Sequence, residues 1–469
     1  MKLDAPQATI AATAAPEMNP RTRMLLQAPI VSTLLRLAWP NLLVMLAQAS
    51  TGLIETWWVS KLGTDALTGM AVVFPGFMMM QMLSAGAMGG GISSAIARAL
   101  GGRRHHDAEA LVMHAVVLNV AIGLFGAALF LIWGRPLYRA MGADGGALEA
   151  AMQYSNVVFG GSVLVWLMNA LARIIRGTGN MLVPSLAVCI GVVLLIPLSP
   201  LLIFGWGPIP ALGMAGGGWA VVLTTAIVAA VLAVYILSGR CILQFKPARL
   251  RRDLTIDILR VGAIAAVVSL QTSLTVLLTT ALVGAHGGGE AVAGFGTGVR
   301  LEYLMVPLAF GFGGPLVALV GTNIGAGLEA RALRIALIGG AMVFALTETV
   351  GLAAAIWPAA WLGLFGSDPQ MIETGSAYLR IVGPAYGFFG LGLSLYFASQ
   401  GAGKMIWPLA AGVLRLAISV GGGWLVLRLT GSLTWLFACL ALALAIYGSL
   451  IAGAVASGVW FKKPRGEAG

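Results

Sequence analysis

Long stretches without charged residues recur along the whole chain and leave few possible folds. A helix of about 20 apolar residues crosses the hydrocarbon core of a bilayer. Only 10% of the 469 residues are charged, whereas a soluble domain has roughly a quarter. Membrane barrels use strands of about ten residues with alternating polarity, and stretches such as 221–237 show no alternation. The sequence therefore predicts an all-α protein that crosses a membrane many times.

The apolar stretches can be placed as twelve transmembrane helices, six in each half of the chain. The segments between them are short and carry most of the charge. We expect helices near residues 37–60, 66–97, 109–133, 148–176, 181–205, 213–238, 256–284, 290–322, 329–357, 372–400, 405–429 and 432–460.

Lysine and arginine are divided unequally between the two sides of this layout. The N-terminal segment, the loops after even-numbered helices and the C-terminus hold 21 of the 28, and the loops after odd-numbered helices hold 4. Basic residues are retained on the cytoplasmic side, so both termini are expected there. The first 35 residues are polar and lack a cleavage site after an apolar core, which predicts a cytoplasmic tail and not a signal peptide.

The second half of the chain repeats the first at an offset near 224 residues. Segment 176–184 falls on 400–408, and in the same register 142–144 falls on 366–368 and Tyr154 on Tyr378. An even number of helices in each half makes the repeats parallel, with a cavity between two bundles where a transporter holds its substrate. We predict a tail (1–35), a six-helix bundle (36–240), a cytoplasmic linker (241–255), a second bundle (256–460) and a short tail (461–469).

One face of the first predicted helix carries polar residues. Gln48, Thr51 and Glu55 follow helical spacing and so share a face, which we expect to line the cavity. Charged groups within the bilayer are expensive and functional by default. Apolar surroundings favour the neutral form of a carboxyl group, so Glu55 is a candidate for binding a coupling proton. Its oxygens, with Gln48 and a backbone carbonyl, could instead hold Na⁺; solvation of Glu55 at the outer interface is the third possibility.

Among the charged residues inside predicted helices of the second half, four are candidates for a role in function: Arg300, Glu302, Glu348 and Arg415. Residues two apart point to different faces of a helix, so Arg300 and Glu302 should each have a partner on another helix. These four are interpreted either as contacts in a substrate cavity or as a charge network that locks the second bundle.

Other classes of protein find little support in the sequence. The net charge of +11 is explained by membrane topology, so no nucleic-acid partner is expected. The three cysteines stand far apart and give neither metal spacing nor a disulfide framework. No HExxH or GxSxG motif and no paired carboxylates occur within the spans, so we do not expect an enzyme. No cofactor is expected beyond H⁺ or Na⁺ as the coupling ion.

The chain resembles the multidrug and toxic compound extrusion (MATE) family over residues 34–460. The resemblance rests on Pro40, Gln48, Gly52 and Glu55 ahead of a Leu-Gly turn, and on the two glycine-rich turns before Pro184 and Pro408. It implies a V-shaped pair of six-helix bundles that exports amphipathic, often cationic compounds in exchange for H⁺ or Na⁺. It also assigns the family's acidic residue of the first helix to Glu55, here glutamate where aspartate is usual.

The chain departs from the family pattern at both known ion sites. Many members pair the first-helix acid with Asn and Asp on helix 5, where 195–200 offers only Ser199. The acids that bind sodium on helices 7 and 10 of other members are replaced by uncharged residues. A lipid-linked oligosaccharide flippase of the same superfamily is the alternative function, although that class commonly has fourteen spans and a strongly cationic cavity. Short loops and the lack of a soluble domain favour a monomer without an obligate protein partner. The resemblance implies the bacterial inner membrane and small-molecule substrates.

Overall fold

The computed structural model describes residues 19–208 and 210–461, and these are almost entirely helical. The helices of the first half are α1 (Pro20–Gln27), α2 (Ile30–Ser60), α3 (Thr64–Gln81), α4 (Gly89–Gly101), α5 (His105–Ala140), α6 (Gly145–Gly160), α7 (Ser162–Gly177), α8 (Leu182–Phe204) and α9 (Met214–Leu237). Those of the second half are α10 (Arg252–Gly325), α11 (Glu329–Ile356), α12 (Pro358–Leu362), α13 (Pro369–Val382), α14 (Tyr386–Ala402), α15 (Ile406–Leu416), α16 (Gly423–Thr430) and α17 (Leu433–Ala456).

These helices make twelve membrane spans, as the sequence predicts. Ten helical segments of the described residues are long and apolar enough to cross a bilayer, and the pair α6 and α7, bent by 44°, makes an eleventh. The twelfth lies within α10, whose 74 residues would extend about 110 Å as one straight helix. Helix α10 breaks at Gly288, where φ is 71°, and so crosses the membrane twice.

The ends of two predicted segments differ from the structure. The predicted tail 1–35 includes α1 and the start of α2, because Asn19 caps α1 and Pro20 opens its first turn; residues 1–18 lie outside the described part. The predicted linker 241–255 overlaps α10, which begins at Arg252 with Asp253 in its first turn, where an acid favours a helix start. The predicted C-terminal tail also falls largely outside the described residues.

Several spans are interrupted near their centres. A π-helical segment, Met82–Met88, joins α3 to α4, and another, Ala417–Gly422, joins α15 to α16. A 3₁₀ turn at Gly383–Ala385 separates α13 from α14, because Pro384 has no backbone N–H to continue the helix. Breaks of this kind are frequent at functional sites.

The two bundles converge at one face of the molecule, which we call the basic face: the side where α2 begins and α17 ends. Among the described residues, every hydrogen bond, ion pair and close glycine contact between the bundles lies in the half of the helices nearest this face. At the end of α4, a Cβ atom on Gly101 would stand less than 3.0 Å from the backbone of Thr322. Its repeat mate Gly325 meets the backbone of Arg98 in the same way. The structure is therefore a V that is closed at the basic face and open at the opposite face.

A polar clasp reinforces this closure. Arg98 of α4 pairs with Asp257 of α10 at 2.7 Å and donates to the carbonyl oxygen of Gly401 at 3.2 Å. Ser94, one turn earlier, donates to the carbonyl oxygen of Gln400. Helices of both bundles are thus tied together beside the glycine contacts.

Candidate functional site

Glu55 lies in the half of α2 farthest from the basic face, inside the first bundle. Its Oε1 atom is buried and has no hydrogen-bond partner among the described residues. The phenol of Tyr154, on α6, is close enough to interact with its charge. Ser199 of α8 is 1% exposed, and its hydroxyl likewise has no partner in the described part of the chain. Buried polar atoms are normally satisfied, so Glu55 and Ser199 are available to a ligand or ion.

The other two residues predicted around Glu55 have different surroundings. Gln48 is exposed on α2, and the Thr51 hydroxyl donates to the carbonyl oxygen of Ala47 at 2.9 Å. No hydrogen bond within the described ranges joins Gln48, Thr51 or Ser199 to Glu55. Those ranges also contain no group of three His, Cys, Asp or Glu side chains able to hold a metal ion. The shared coupling-ion site at these four residues, with Na⁺ as one occupant, stays a prediction.

The second bundle encloses a narrow cavity that contains a charge pair. Glu302, on the second span of α10, lies 3.1 Å from Arg415 of α15, and the two side chains are only 13% and 11% exposed. The Arg415 guanidinium also lies over the rings of Phe389 and Tyr447, 5.4 and 5.6 Å from their centroids. This pair is the inter-helix partnership that the sequence predicts for Glu302.

The repeat relates this cavity to the surroundings of Glu55. The cavity is lined by Thr275, Thr279 and Tyr378, and at the offset of 224 these are the mates of Thr51, Glu55 and Tyr154. Each bundle thus places a carboxyl group near equivalent tyrosines. In the first bundle the carboxyl comes from α2 and has no cationic partner among the described residues. In the second bundle it comes from the second span of α10 and is paired with arginine.

The two remaining charges of the second half do not join this pair. Glu348 of α11 accepts a hydrogen bond from the backbone N–H of Gly387 at 2.7 Å. Because α14 restarts after Pro384, its first N–H groups have no helical partner, and a carboxylate there is favourable. Arg300 is exposed and stacks on Phe365 at 5.3 Å. The structure therefore brings Glu302 and Arg415 together in this cavity, whereas Glu348 caps a helix and Arg300 stacks outside the cavity.

A third polar region lies where the two bundles meet, and the sequence analysis missed it. Its residues are Gly89 and Gly90 of α4, Arg173 of α7, and Tyr396 and Gln400 of α14; we call them the floor layer. The side chain of Gln400 packs on Gly90, and that of Arg173 packs on Gly89. One turn above Arg173, Asn169 donates to Ser84 at 2.8 Å and to Gln81 at 3.2 Å. In the sequence, this polar region is indicated by Asn169 and Arg173, which lie four residues apart on one apolar helix.

Two repeated six-helix bundles that meet at one face and separate toward the other form the architecture of a membrane transporter. The MatE family model matches residues 40–201 and 263–425, one segment in each bundle. The chain therefore belongs to the MatE family, whose members are transporters.

Relatives and solved structures agree with this family. The chain is 27% identical to the "FAD transporter" of Shewanella oneidensis, covering 80% of this chain and 82% of the relative. It is 26% identical to the "Probable multidrug resistance protein NorM" of Thermotoga maritima, covering 80% and 81%. The fold is similar to a MATE transporter solved in a bent conformation, with TM-score 0.86 and 23% identity over 94% of this chain and 99% of that one. An outward-facing MATE structure also gives TM-score 0.86 at 23% identity, over 95% of this chain and 100% of the other.

Proposed function

We propose that the protein is a secondary active exporter that moves organic compounds out of the cell in exchange for protons bound at Glu55. The observation that carries this proposal is the difference between the two bundles. Glu55 has a buried oxygen without a partner, whereas Glu302 is paired with Arg415. Only the carboxyl of the first bundle is thus free to bind and release a cation during transport.

Arg415 supports this assignment because its guanidinium is a cation fixed to the protein. A coupling ion would bring a positive charge to Glu302, but Arg415 already supplies one at 3.1 Å from the Glu302 carboxylate. Glu302 therefore has a counter-charge from the protein itself. A proton needs a single carboxyl oxygen, whereas Na⁺ needs several oxygen ligands, and the described residues give Glu55 no hydrogen-bonded oxygen neighbour. These facts favour H⁺ over Na⁺.

The proposed orientation places the basic face in the cytoplasm of a bacterium, with the protein in the inner membrane. The excess of Lys and Arg on that side supports it. The cavity would then open outward, ready to release substrate and take up a proton. Rupture of the clasp at Arg98 would accompany the return to the inward-open form. A monomer is proposed, since each chain contains both bundles.

The names of the relatives indicate two types of compound to test as substrates. Multidrug resistance proteins and an FAD transporter are similar to this chain at comparable identity. We propose that amphipathic organic molecules are exported, and the first test should compare a fluorescent lipophilic cation with FAD.

The test uses purified protein in liposomes under an imposed proton gradient and, separately, a sodium gradient. Glu55→Gln removes the ionisable group with little change in shape. Glu290→Gln is the matched control, because Glu290 is exposed. We expect the proton gradient to drive export by the wild type and by Glu290→Gln, with loss of gradient-driven export in Glu55→Gln. Gradient-dependent export that survives in Glu55→Gln would refute coupling at Glu55, and transport driven only by sodium would replace H⁺ as the ion. Failure of both gradients with both substrates would favour the lipid-linked oligosaccharide flippase.

A further inference from the structure

Arg173 carries a positive charge into the contact between the two bundles. Its stem packs over Gly89 so closely that a Cβ atom there would stand 2.7 Å from the Arg173 Cγ. Gly89 lies twelve residues before the end of α4, which is about 18 Å along the helix axis. Arg173 itself lies four residues before the end of α7, and its side chain lies beside α4 at this level. Its side chain is partly exposed, and Tyr396 of the other bundle is an electrostatic neighbour.

No acidic residue in the described ranges balances this charge. The ion pairs found there use other basic residues. The charged neighbour of Arg173 is Arg176, which repels it. Arg176 is 8% exposed, and its Nε atom has no partner in the described part of the chain. A buried charge without a partner costs several kcal/mol, so packing alone gives no reason to place the buried Arg176 beside a second arginine.

The internal repeat shows what packing at this position requires. At the offset of 224, Arg173 corresponds to Phe397 and Gly89 to Gly313. Phe397 packs over Gly313 as Arg173 packs over Gly89, with a Cβ on Gly313 standing 2.7 Å from the ring. An aromatic side chain therefore fills this place in the second bundle. The charge of Arg173 is an addition to the first bundle that the fold does not need.

The neighbours of Arg173 are rich in groups that can donate a hydrogen bond. Gln400 is fully buried and directs its amide N–H to the hydroxyl of Tyr396 at 2.9 Å. That hydroxyl also forms a hydrogen bond with Ser269 of α10, so an acceptor bound here would replace Ser269 as its partner. Arginine presents its N–H groups in a planar fork that matches the oxygens of phosphate. The floor layer thus combines an unpaired guanidinium with a phenol and carries no carboxylate.

We propose that the floor layer is an anion-binding site in which Arg173 receives a phosphate group of an exported amphipathic compound. This rests on the proposed export function and names its substrate class. The phosphate neutralises Arg173 while the compound lies between the two bundles, and the rest of the molecule extends toward the open face. Arg176 adds positive potential without contacting the ligand.

Binding to the purified protein in detergent, without any gradient, tests this site separately from transport. The probes are riboflavin and riboflavin 5′-phosphate, which share one ring system and differ by a phosphate. The variant is Arg173→Phe, because the repeat shows that Phe fits over a glycine here. Arg173→Lys keeps the charge, and Arg300→Phe removes an exposed arginine elsewhere as the matched control.

We expect the wild type and Arg300→Phe to bind the phosphorylated probe at least about tenfold more tightly than riboflavin, the scale of a hydrogen bond to a charged group. Arg173→Phe should lose this preference while its affinity for riboflavin stays unchanged, and Arg173→Lys should keep part of it. On the unmodified protein, inorganic pyrophosphate should displace the phosphorylated probe. A wild type that binds both probes equally or neither, or an Arg173→Phe variant that still discriminates, overturns the proposal. Failure of proton coupling at Glu55 would leave these binding results unchanged.

Discussion

The closest contact between the two bundles predicts that a single methyl group will open the basic face. A Cβ on Gly101 would stand less than 3.0 Å from three backbone atoms of Thr322. Backbone atoms cannot rotate away, so α4 and α10 must separate by roughly 1 Å, which is a large shift for a close-packed interior. Overpacking of this kind costs about 2 kcal/mol, and all of it falls on the closed form. Gly101→Ala should therefore shift the equilibrium toward an open basic face roughly 30-fold.

The assay is the reaction of a cysteine at the gate with a membrane-impermeant maleimide applied at the basic face. Ala97 is fully buried beside Gly321, so Ala97→Cys reports opening when the three native cysteines are replaced. Gly126→Ala is the matched control, because a methyl on Gly126 meets nothing within 4 Å. We expect faster labelling of Ala97→Cys with Gly101→Ala and an unchanged rate with Gly126→Ala. Equal rates in the two variants, with both eluting as single species, would show that the glycine contact does not hold the gate.

Two further predictions concern the charges of the second bundle. Glu302→Gln should destabilise the protein by about 3 kcal/mol, because it leaves Arg415 buried and unpaired. Adding Arg415→Met should recover most of that loss. Denaturant unfolding in micelles measures both variants, and a Glu302→Gln protein as stable as the wild type would contradict the pairing. Glu348→Leu should cost about 1 kcal/mol by removing the acceptor for the Gly387 N–H. Faster hydrogen exchange at the first turn of α14 would register that loss, and unchanged protection there would argue against the cap.

The sequence was sufficient for features that depend on neighbouring residues along the chain. Each span is an uninterrupted apolar stretch, and the repeat appears as a constant offset, so twelve helices in two equivalent bundles could be predicted. The second glycine-rich turn likewise marked a helix end, at Gly403, where φ is 70°. The break at Gly288 fell in the predicted gap between 284 and 290 for the same reason.

The roles of charged residues were harder to predict because they depend on which helices meet. Glu348 and Glu302 are indistinguishable in sequence as single acids within apolar helices. One caps a helix that begins after Pro384 and the other pairs with Arg415, 113 residues away along the chain. Arg173 was counted among the basic residues at a loop, because hydropathy does not reveal how far α4 and α7 extend into the contact between bundles.

The sequence by itself determined that this chain spans a membrane twelve times, that its halves are homologous and that Glu55 is an unusual acid within the first span. The spans and the unusual position of Glu55 follow from the transfer free energy of each segment into lipid, which is a sum over local residues. The homology follows from the constant offset between the two halves. Only the tertiary structure decided that the bundles close at the basic face, that Glu302 is neutralised while Glu55 is not, and that Arg173 faces the other bundle. These outcomes depend on the rotation and close packing of helices distant in sequence, where a glycine or a charge acts through its neighbour on another helix.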